Sequence, residues 1–198
     1  MAVSEQKLEK DRLISSFSKE HDVDFAGWIF RWDLYTEGDS HGYEPSYPLN
    51  DALDVLNISS NDRIIDLGCG KGYAMYLFSK YCFGRIDGVE KCETLSSIAI
   101  ANMNTLFPMS TQSFHIYTED VNNWNQYINY NFFYLCNPFG IETTISVAKH
   151  IQDVAKVKNS TVTVIYQIYE FLDVFIDLGY EILFKSEMNC VLQYSVHI

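Results

Sequence analysis

The feature that most constrains this chain is a set of three glycines in five residues, Gly68-Cys69-Gly70-Lys71-Gly72. They sit where a short apolar run ends and a helical pattern begins. Arg63-Ile-Ile-Asp-Leu67 is compact and β-branched, and the glycines close it, which predicts a buried strand. Tyr73 to Phe83 then reads as a helix. Glycines at such a junction let the backbone take positive φ and approach a ligand closely. The start of the following helix offers free N–H groups and a positive dipole to an anionic group. The spacing excludes two ligand classes. A nicotinamide fingerprint would have a glycine where Tyr73 stands. A Walker loop would need G-K-[ST] after a fixed spacer. The loop therefore suits a ligand carrying a carboxylate and an amine rather than a pyrophosphate.

Around the loop, strand and helix patterns alternate from Asp51 onward. Leu53 to Leu56 closes a short helix. Further strands are predicted at Arg85–Glu90, Ser113–Thr118, Tyr130–Cys136 and Thr161–Ile168, the last dense in β-branched residues. Helices are predicted from Leu95 to Leu106, stopped by Pro108, from Thr143 to Val157, and from Phe171 to Leu178, capped by Gly179. Tyr180–Lys185 and Cys190–His197 are close enough to pair antiparallel. Such alternation implies a doubly wound parallel sheet with right-handed crossovers. Residues 1–50 differ in texture and read as a separate N-terminal cap, leaving 51–198 as the main domain. Ser4 to Glu20 has a thin apolar stripe of Leu8, Leu13 and Phe17. The aromatics Trp28, Phe30, Trp32, Tyr35, Tyr43 and Tyr47 follow, broken by Gly27, Gly38, Gly42, Pro45 and Pro48, a pattern that forbids one long helix. These aromatics read as a mini-core covering the sheet edge in preference to a lid or a sugar-stacking platform.

Charge and composition narrow the partners. Fourteen basic against 26 acidic residues give a net charge of −12. Nucleic acid is repelled by such a surface unless a basic patch exists, and no Lys/Arg cluster is present. The spaced lysines from Lys149 to Lys158 read as one solvated helix face. Nucleic acid is therefore the least expected partner. No apolar stretch reaches membrane-spanning length, and Met1 to Glu20 has no apolar core of a secretory signal. The five cysteines, Cys69, Cys82, Cys92, Cys136 and Cys190, are scattered without a C-x-x-C pair, so neither a metal site nor a disulfide framework is expected. Together these point to a cytoplasmic protein with reduced thiols.

Three other positions belong with the glycine loop. Glu90 ends the second strand, where an acidic side chain takes both hydroxyls of a ribose. Asp120 follows the third strand and, with the Val121 backbone, can reach an adenine amino group. Asn137-Pro138-Phe139-Gly140 ends the fourth. All lie at carboxyl ends of neighbouring strands, where open α/β sheets hold ligands.

D-L-G-C-G-K-G, with Glu90, Asp120 and the closing hairpin in order, resembles the class I S-adenosylmethionine-dependent methyltransferases over about residues 50–198. The resemblance implies an α/β, Rossmann-like, doubly wound seven-stranded sheet of order 3-2-1-4-5-7-6. Strand 7 is antiparallel, helices cover both faces, and a short cap precedes the sheet. It implies S-adenosyl-L-methionine as cofactor, held by Tyr43, Ser46, Asp66, Gly68, Cys69, Gly70, Gly72, Glu90, Lys91, Asp120, Val121, Asn137 and Pro138. The lead-in Trp32-Asp33-Leu34-Tyr35, Gly38-Asp39-Ser40 and Gly42-Tyr43-Glu44-Pro45-Ser46 looks like that of a small bacterial methyltransferase group with an N-P-F end to strand four. It departs from that pattern at Trp32 and in the spacing of Gly38.

Asn137-Pro138-Phe139 also resembles the [DN]-P-P-[FY] motif of amino methyltransferases, which implies Asn137 aligning the acceptor and Phe139 stacking on the substrate. One proline is missing here, and Gly140 follows the aromatic. Among candidate bases, His41 lies nearest the expected cofactor mouth. His115 alternates within a strand and reads as structural, His150 reads as surface, and His21 and His197 carry no role. Cys69 reads as a small packing residue and Lys71 as a cap on the loop. The expected activity is methyl transfer to an O or N atom of a small molecule, such as a sugar or metabolite. A protein side chain, RNA, or a non-catalytic scaffold role are the alternatives. The acceptor atom and the oligomeric state are not legible in the sequence.

Overall fold

The computed structural model describes residues 3–34, 41–108 and 113–196. Tyr35, Gly38, Asp39, Ser40 and His197, all singled out above, lie outside the described residues. In chain order the elements are α1 (Val3–His21), α2 (Arg31–Leu34), α3 (Asn50–Leu53), β1 (Arg63–Leu67), α4 (Tyr73–Phe78), β2 (Arg85–Val89), α5 (Glu93–Leu106) and β3 (Ser113–Tyr117). A 3-10 turn at Tyr127–Asn129 leads into β4 (Phe132–Cys136), α6 (Ile141–Lys158), β5 (Val162–Gln167), α7 (Leu172–Asp177), β6 (Glu181–Lys185) and β7 (Asn189–Tyr194). The strands form one seven-stranded sheet of order β3-β2-β1-β4-β5-β7-β6. The first five strands run parallel, and β7 is antiparallel to both β5 and β6. This is the expected sheet.

Strand alternation divides the core between the two faces. Ile65 and Leu67 of β1 pack with Phe133, Leu135, Val164 and the inward side of α6. Ile64 packs on the opposite face with Tyr134, Ile165, Ile14 of α1, Met75 and Phe78 of α4, and Ala99 of α5. Asp66 shares that second face through the same two-residue period, so β1 delivers a buried carboxyl at its end.

The structure corrects several local expectations. The buried side of α1 is not the Leu8–Leu13 stripe, because both leucines are largely exposed. Lys10, Ile14 and Ser18 face inward at helical spacing, with Phe17 partly covered. Lys10 is buried because its ammonium donates to Glu44 Oε1 at 2.8 Å and to the Pro45 carbonyl at 2.9 Å, leaving no unpaired charge inside. Helix α3 begins and ends earlier than the 53–56 segment. Helix α4 stops at Phe78, and turns carry the chain to β2. The aromatic segment before β4 begins with a 3-10 turn, so Tyr130 precedes the strand.

A buried polar network fastens the cap segment to the sheet. Gln167 Oε1 accepts from the Tyr47 N–H at 2.7 Å and from the Tyr134 hydroxyl at 3.1 Å, while Gln167 Nε2 donates to Asn189 Oδ1 at 2.7 Å. Asn189 Nδ2 donates in turn to the Pro48 carbonyl and to Asp51 Oδ1. Satisfied networks in a low-dielectric interior are rigid, and this one fixes residues 46–51 against β5 and β7.

Candidate functional site

The carboxyl ends of β1 to β5 surround one cavity of ≈ 470 Å³. The glycine loop forms its floor. Gly68 has φ +87° and Gly70 φ +53°. A Cβ on Gly68 would stand 2.5 Å from Pro138 Cβ, and one on Gly70 would enter the Tyr43 ring. The loop is therefore clamped between the cap and the turn after β4, and only glycine fits at either position. Its start is stitched to β2, with the Gly68 and Cys69 N–H groups donating to the Val89 carbonyl at 2.8 and 3.0 Å.

Glu90 is buried beside the loop. Its Oε2 accepts from the Gly70 N–H at 3.0 Å and its Oε1 from the Cys92 N–H at 2.8 Å. Burial pushes the Asp66 carboxyl well up, and the negative charge of Glu90 adds to the effect. The Cys69 thiol is pushed up by burial first, then by Asp66 and Glu90. Burial likewise pushes the Cys136 thiol up to about 12. Neither sulfur is poised as a thiolate nucleophile.

Beyond β3, Asp120 Oδ1 accepts from the Asn122 N–H at 2.9 Å and so opens a turn. Val121 is buried, and its carbonyl accepts from the Tyr127 hydroxyl at 3.1 Å. On the cap side, Tyr43 spends its hydroxyl on the Phe25 carbonyl at 2.7 Å, and burial followed by Asp24 pushes that phenol well up. The Ser46 hydroxyl is hydrogen-bonded to the Tyr134 hydroxyl at 2.9 Å, and since the Tyr134 proton goes to Gln167 Oε1, Ser46 is the donor. Both residues nevertheless line the cavity.

The turn after β4 is the most unusual part. Asn137 has φ +43°, and its Nδ2 donates to Glu170 Oε2 at 2.9 Å. Because a carboxylate only accepts, this bond fixes which amide atom is nitrogen. Asn137 Oδ1 is left buried with no hydrogen-bond partner among the described residues. His41 crosses from the cap to the same turn. Its N–H donates to the Pro138 carbonyl at 2.9 Å, and its Nδ1 lies 2.7 Å from the Asn137 carbonyl. A carbonyl can only accept, so Nδ1 carries the proton, and the neutral ring has its lone pair on Nε2.

The cavity brings together His41, Tyr43, Ser46, Asp66, Gly68, Cys69, Gly70, Glu90, Lys91, Asp120, Val121, Asn137, Pro138 and Phe139. Gly72 is not among its walls: it faces Ala99 and Met103 on α5. Lys71 also points away, donating to Asp24 Oδ1 at 2.7 Å and to the Ala26 carbonyl at 3.0 Å. His115 and His150 lie elsewhere, against Tyr117 and Tyr127.

Two groups of cavity residues escaped the sequence reading. Trp28, Phe30 and Trp32 do not form a mini-core; they are 52%, 53% and 71% exposed and wall the cavity mouth. Among the described residues of that aromatic segment Tyr43 and Tyr47 are buried, as is Phe25 just before it. Ile168, just past β5, holds φ +50°, a conformation that strains a β-branched side chain. It had no signal beyond its place at a strand end.

The site fits S-adenosylmethionine in its chemistry. The cradle at Gly68 and Gly70 admits no Cβ, the Glu90 carboxylate stands beside it just after β2, and the Asn137 amide oxygen has no donor among the described residues. A family model described as protein-L-isoaspartate(D-aspartate) O-methyltransferase matches residues 44–137. Among curated proteins no sequence matches. Several solved structures share the fold. An S-adenosylmethionine-dependent O-methyltransferase from Thermotoga maritima is 12% identical, with a TM-score of 0.58 over 79% of this chain and 68% of that one. A methyltransferase of the same dependence from Aquifex aeolicus is 13% identical, with a TM-score of 0.53 over 72% and 87%. A candidate RNA methyltransferase from Pyrococcus horikoshii is 17% identical, with a TM-score of 0.51 over 74% and 77%. The chain thus carries the fold of the class I S-adenosylmethionine-dependent methyltransferases.

Proposed function

We propose that this chain is an S-adenosylmethionine-dependent methyltransferase acting on an O or N atom of a small molecule. The observation that carries the reading is the placement of His41 and the buried Asn137 Oδ1 in the same cavity as the glycine loop. On this reading, the glycine-loop backbone with Tyr43 and Ser46 holds the methionine end of the cofactor. Glu90 takes the ribose hydroxyls, and Asp120 with the Val121 backbone takes the adenine. The bound cofactor supplies an electrophilic methyl group on sulfonium. The chain supplies alignment and exclusion of water, its main levers in such a displacement. Asn137 Oδ1 accepts a hydrogen bond from the acceptor's N–H or O–H and so aims the attacking lone pair. His41 Nε2 is the place for the proton that the acceptor gives up, and the Asn137 carbonyl, holding Nδ1–H, steadies the imidazolium that results.

A second reading, a protein acceptor, draws on the family model, whose description names protein L-isoaspartate and D-aspartate. Carboxylates on the cavity wall weigh against an anionic acceptor here. The cap, residues 1–50, is proposed as the acceptor-side lid of the 51–198 domain.

Methyl-labelled cofactor incubated with the protein and a fractionated lysate tests the reading. Label in the small-molecule fraction is expected. Label confined to protein or RNA replaces the acceptor class. Cofactor binding without transfer to any fraction makes the chain a scaffold.

A further inference from the structure

The cap presents three large aromatic rings at the cavity mouth, and nothing in the mechanism above uses them. Phe30 and Trp32 are stacked, with centroids 4.9 Å apart and planes 6° from parallel. Trp28 meets Phe30 edge to face at 6.0 Å. Large exposed aromatics in contiguity mark an interaction site. These are held in place by a short antiparallel ladder, in which the Ile29 N–H donates to the Tyr43 carbonyl at 3.0 Å and the Tyr43 N–H to the Ile29 carbonyl at 2.9 Å. Tyr43 in turn is packed on Gly70, so the rings are tied directly to the glycine loop.

Charge selects what stacks there. Glu90, Glu119 and Asp120 line the cavity against Arg31 and Lys91, beside Glu44, which Lys7 and Lys10 pair, and Asp66, whose carboxyl burial pushes toward the neutral form. One ring already carries a cation: Lys7 Nζ lies 3.8 Å from the Trp28 centroid and 3.2 Å from Glu44 Oε1. Aromatic faces beside carboxylates favour cations and flat rings and repel anions. Asn137 Oδ1, deeper in the cavity, calls for a hydrogen-bond donor.

We infer that Trp28, Phe30 and Trp32 form the acceptor subsite and that the acceptor is a planar aromatic ring bearing an amine. This rests on the methyltransferase reading and narrows its small molecule from sugar or metabolite to an aromatic amine. The parallel Phe30–Trp32 stack continues naturally into a third flat ring, whereas a carboxylate acceptor would face the acidic wall.

The three tryptophans of the chain provide the test, since Trp124 is buried far from solvent and serves as an internal control. The three indole N–H signals are followed by heteronuclear NMR while the protein is titrated with 1-naphthylmethylamine, its decahydro analogue, 1-naphthoate and methyl β-glucoside. Titrations are run with and without S-adenosylhomocysteine, whose own binding is measured by calorimetry. The naphthylamine is expected to move the Trp28 and Trp32 signals saturably, to leave Trp124 in place, and to bind about ten-fold tighter than each other probe, a difference of about 1.4 kcal/mol. Phe30→Ala with Trp32→Ala should weaken it at least about five-fold while the Trp124 signal stays put. Equal binding of the saturated amine, the carboxylate or the glucoside overturns the inference, and so does the lack of a saturable shift. Loss of S-adenosylhomocysteine binding instead strikes the methyltransferase reading, and the calorimetry reports that separately from the indole shifts.

Discussion

Glu90 holds the glycine loop before any ligand arrives, since each of its oxygens accepts a backbone N–H, from Gly70 and from Cys92. Glu90 also lines the cavity just past β2, and on the proposed reading it takes the ribose hydroxyls. Glu90→Ala is therefore expected to weaken S-adenosylmethionine by about 1.5–3 kcal/mol and, because two buried N–H groups lose their acceptor, to lower Tm as well. Calorimetry and thermal melts separate the two effects, and unchanged affinity in a folded variant removes the ribose role. Asn137 needs a different pair of variants. Its φ of +43° is comfortable for asparagine and glycine but strained for alanine. Asn137→Gly and Asn137→Ala should both cut kcat/KM about ten-fold or more, with little change in cofactor affinity. Only the alanine variant should also lose stability. Full activity in the glycine variant would return Asn137 to a purely structural turn.

At the scale of elements, the glycine loop and the turn after β4 act as two jaws, with the cap between them. Gly70→Ala tests this grip. The new methyl would enter the Tyr43 ring, and the residue would be held at φ +53°, a combination costing about 1–3 kcal/mol. The variant should lose cofactor binding, by calorimetry, far more than it loses helix content by circular dichroism. Retained affinity would show that loop and cap are not coupled. The elements were legible in the sequence where burial is periodic. β1, β4 and β5 announce themselves by apolar runs, and Gly68 to Gly72 by composition. The face of α1 was not, because Lys10 is buried through partners far along the chain, at Glu44 and Pro45, and Ser18 through the Phe25 N–H beyond the helix end, which no helical pattern reveals. The same holds for Gln167 and Asn189, polar residues that look like surface until Tyr47 and Pro48 supply their partners. Of the site, the strand-end residues could be named in advance. The aromatic wall could not, since exposure of Trp28, Phe30 and Trp32 is set by where the Ile29–Tyr43 ladder places the cap.

The whole molecule carries 14 tyrosines and a net charge of −12, and most of its perturbed groups are phenols. Burial pushes Tyr166 up to about 12 from 10.0, and it pushes Tyr43 and Tyr134 well above the usual range. These phenols stay protonated in the folded protein while their unfolded counterparts begin to ionise near pH 10. Between the two values the native state binds more protons than the unfolded one, so stability falls as pH rises. The contribution is fully present below pH 10 and is lost as pH climbs through the folded values. For Tyr166 alone, the rise from 10.0 to about 12 corresponds to about 2 kcal/mol lost by pH 12. Cys136, moved to about 12 from 9.0 chiefly by burial, acts in the same direction from a lower starting point. Tm is therefore expected to fall steeply above pH 10, and the absorbance of tyrosinate from the buried phenols should rise together with the loss of far-ultraviolet ellipticity. Gradual ionisation of all the tyrosines ahead of unfolding would mean that Tyr134, Tyr166 and Tyr43 are open to solvent, and that the cap does not seal the sheet as the Gln167 network implies.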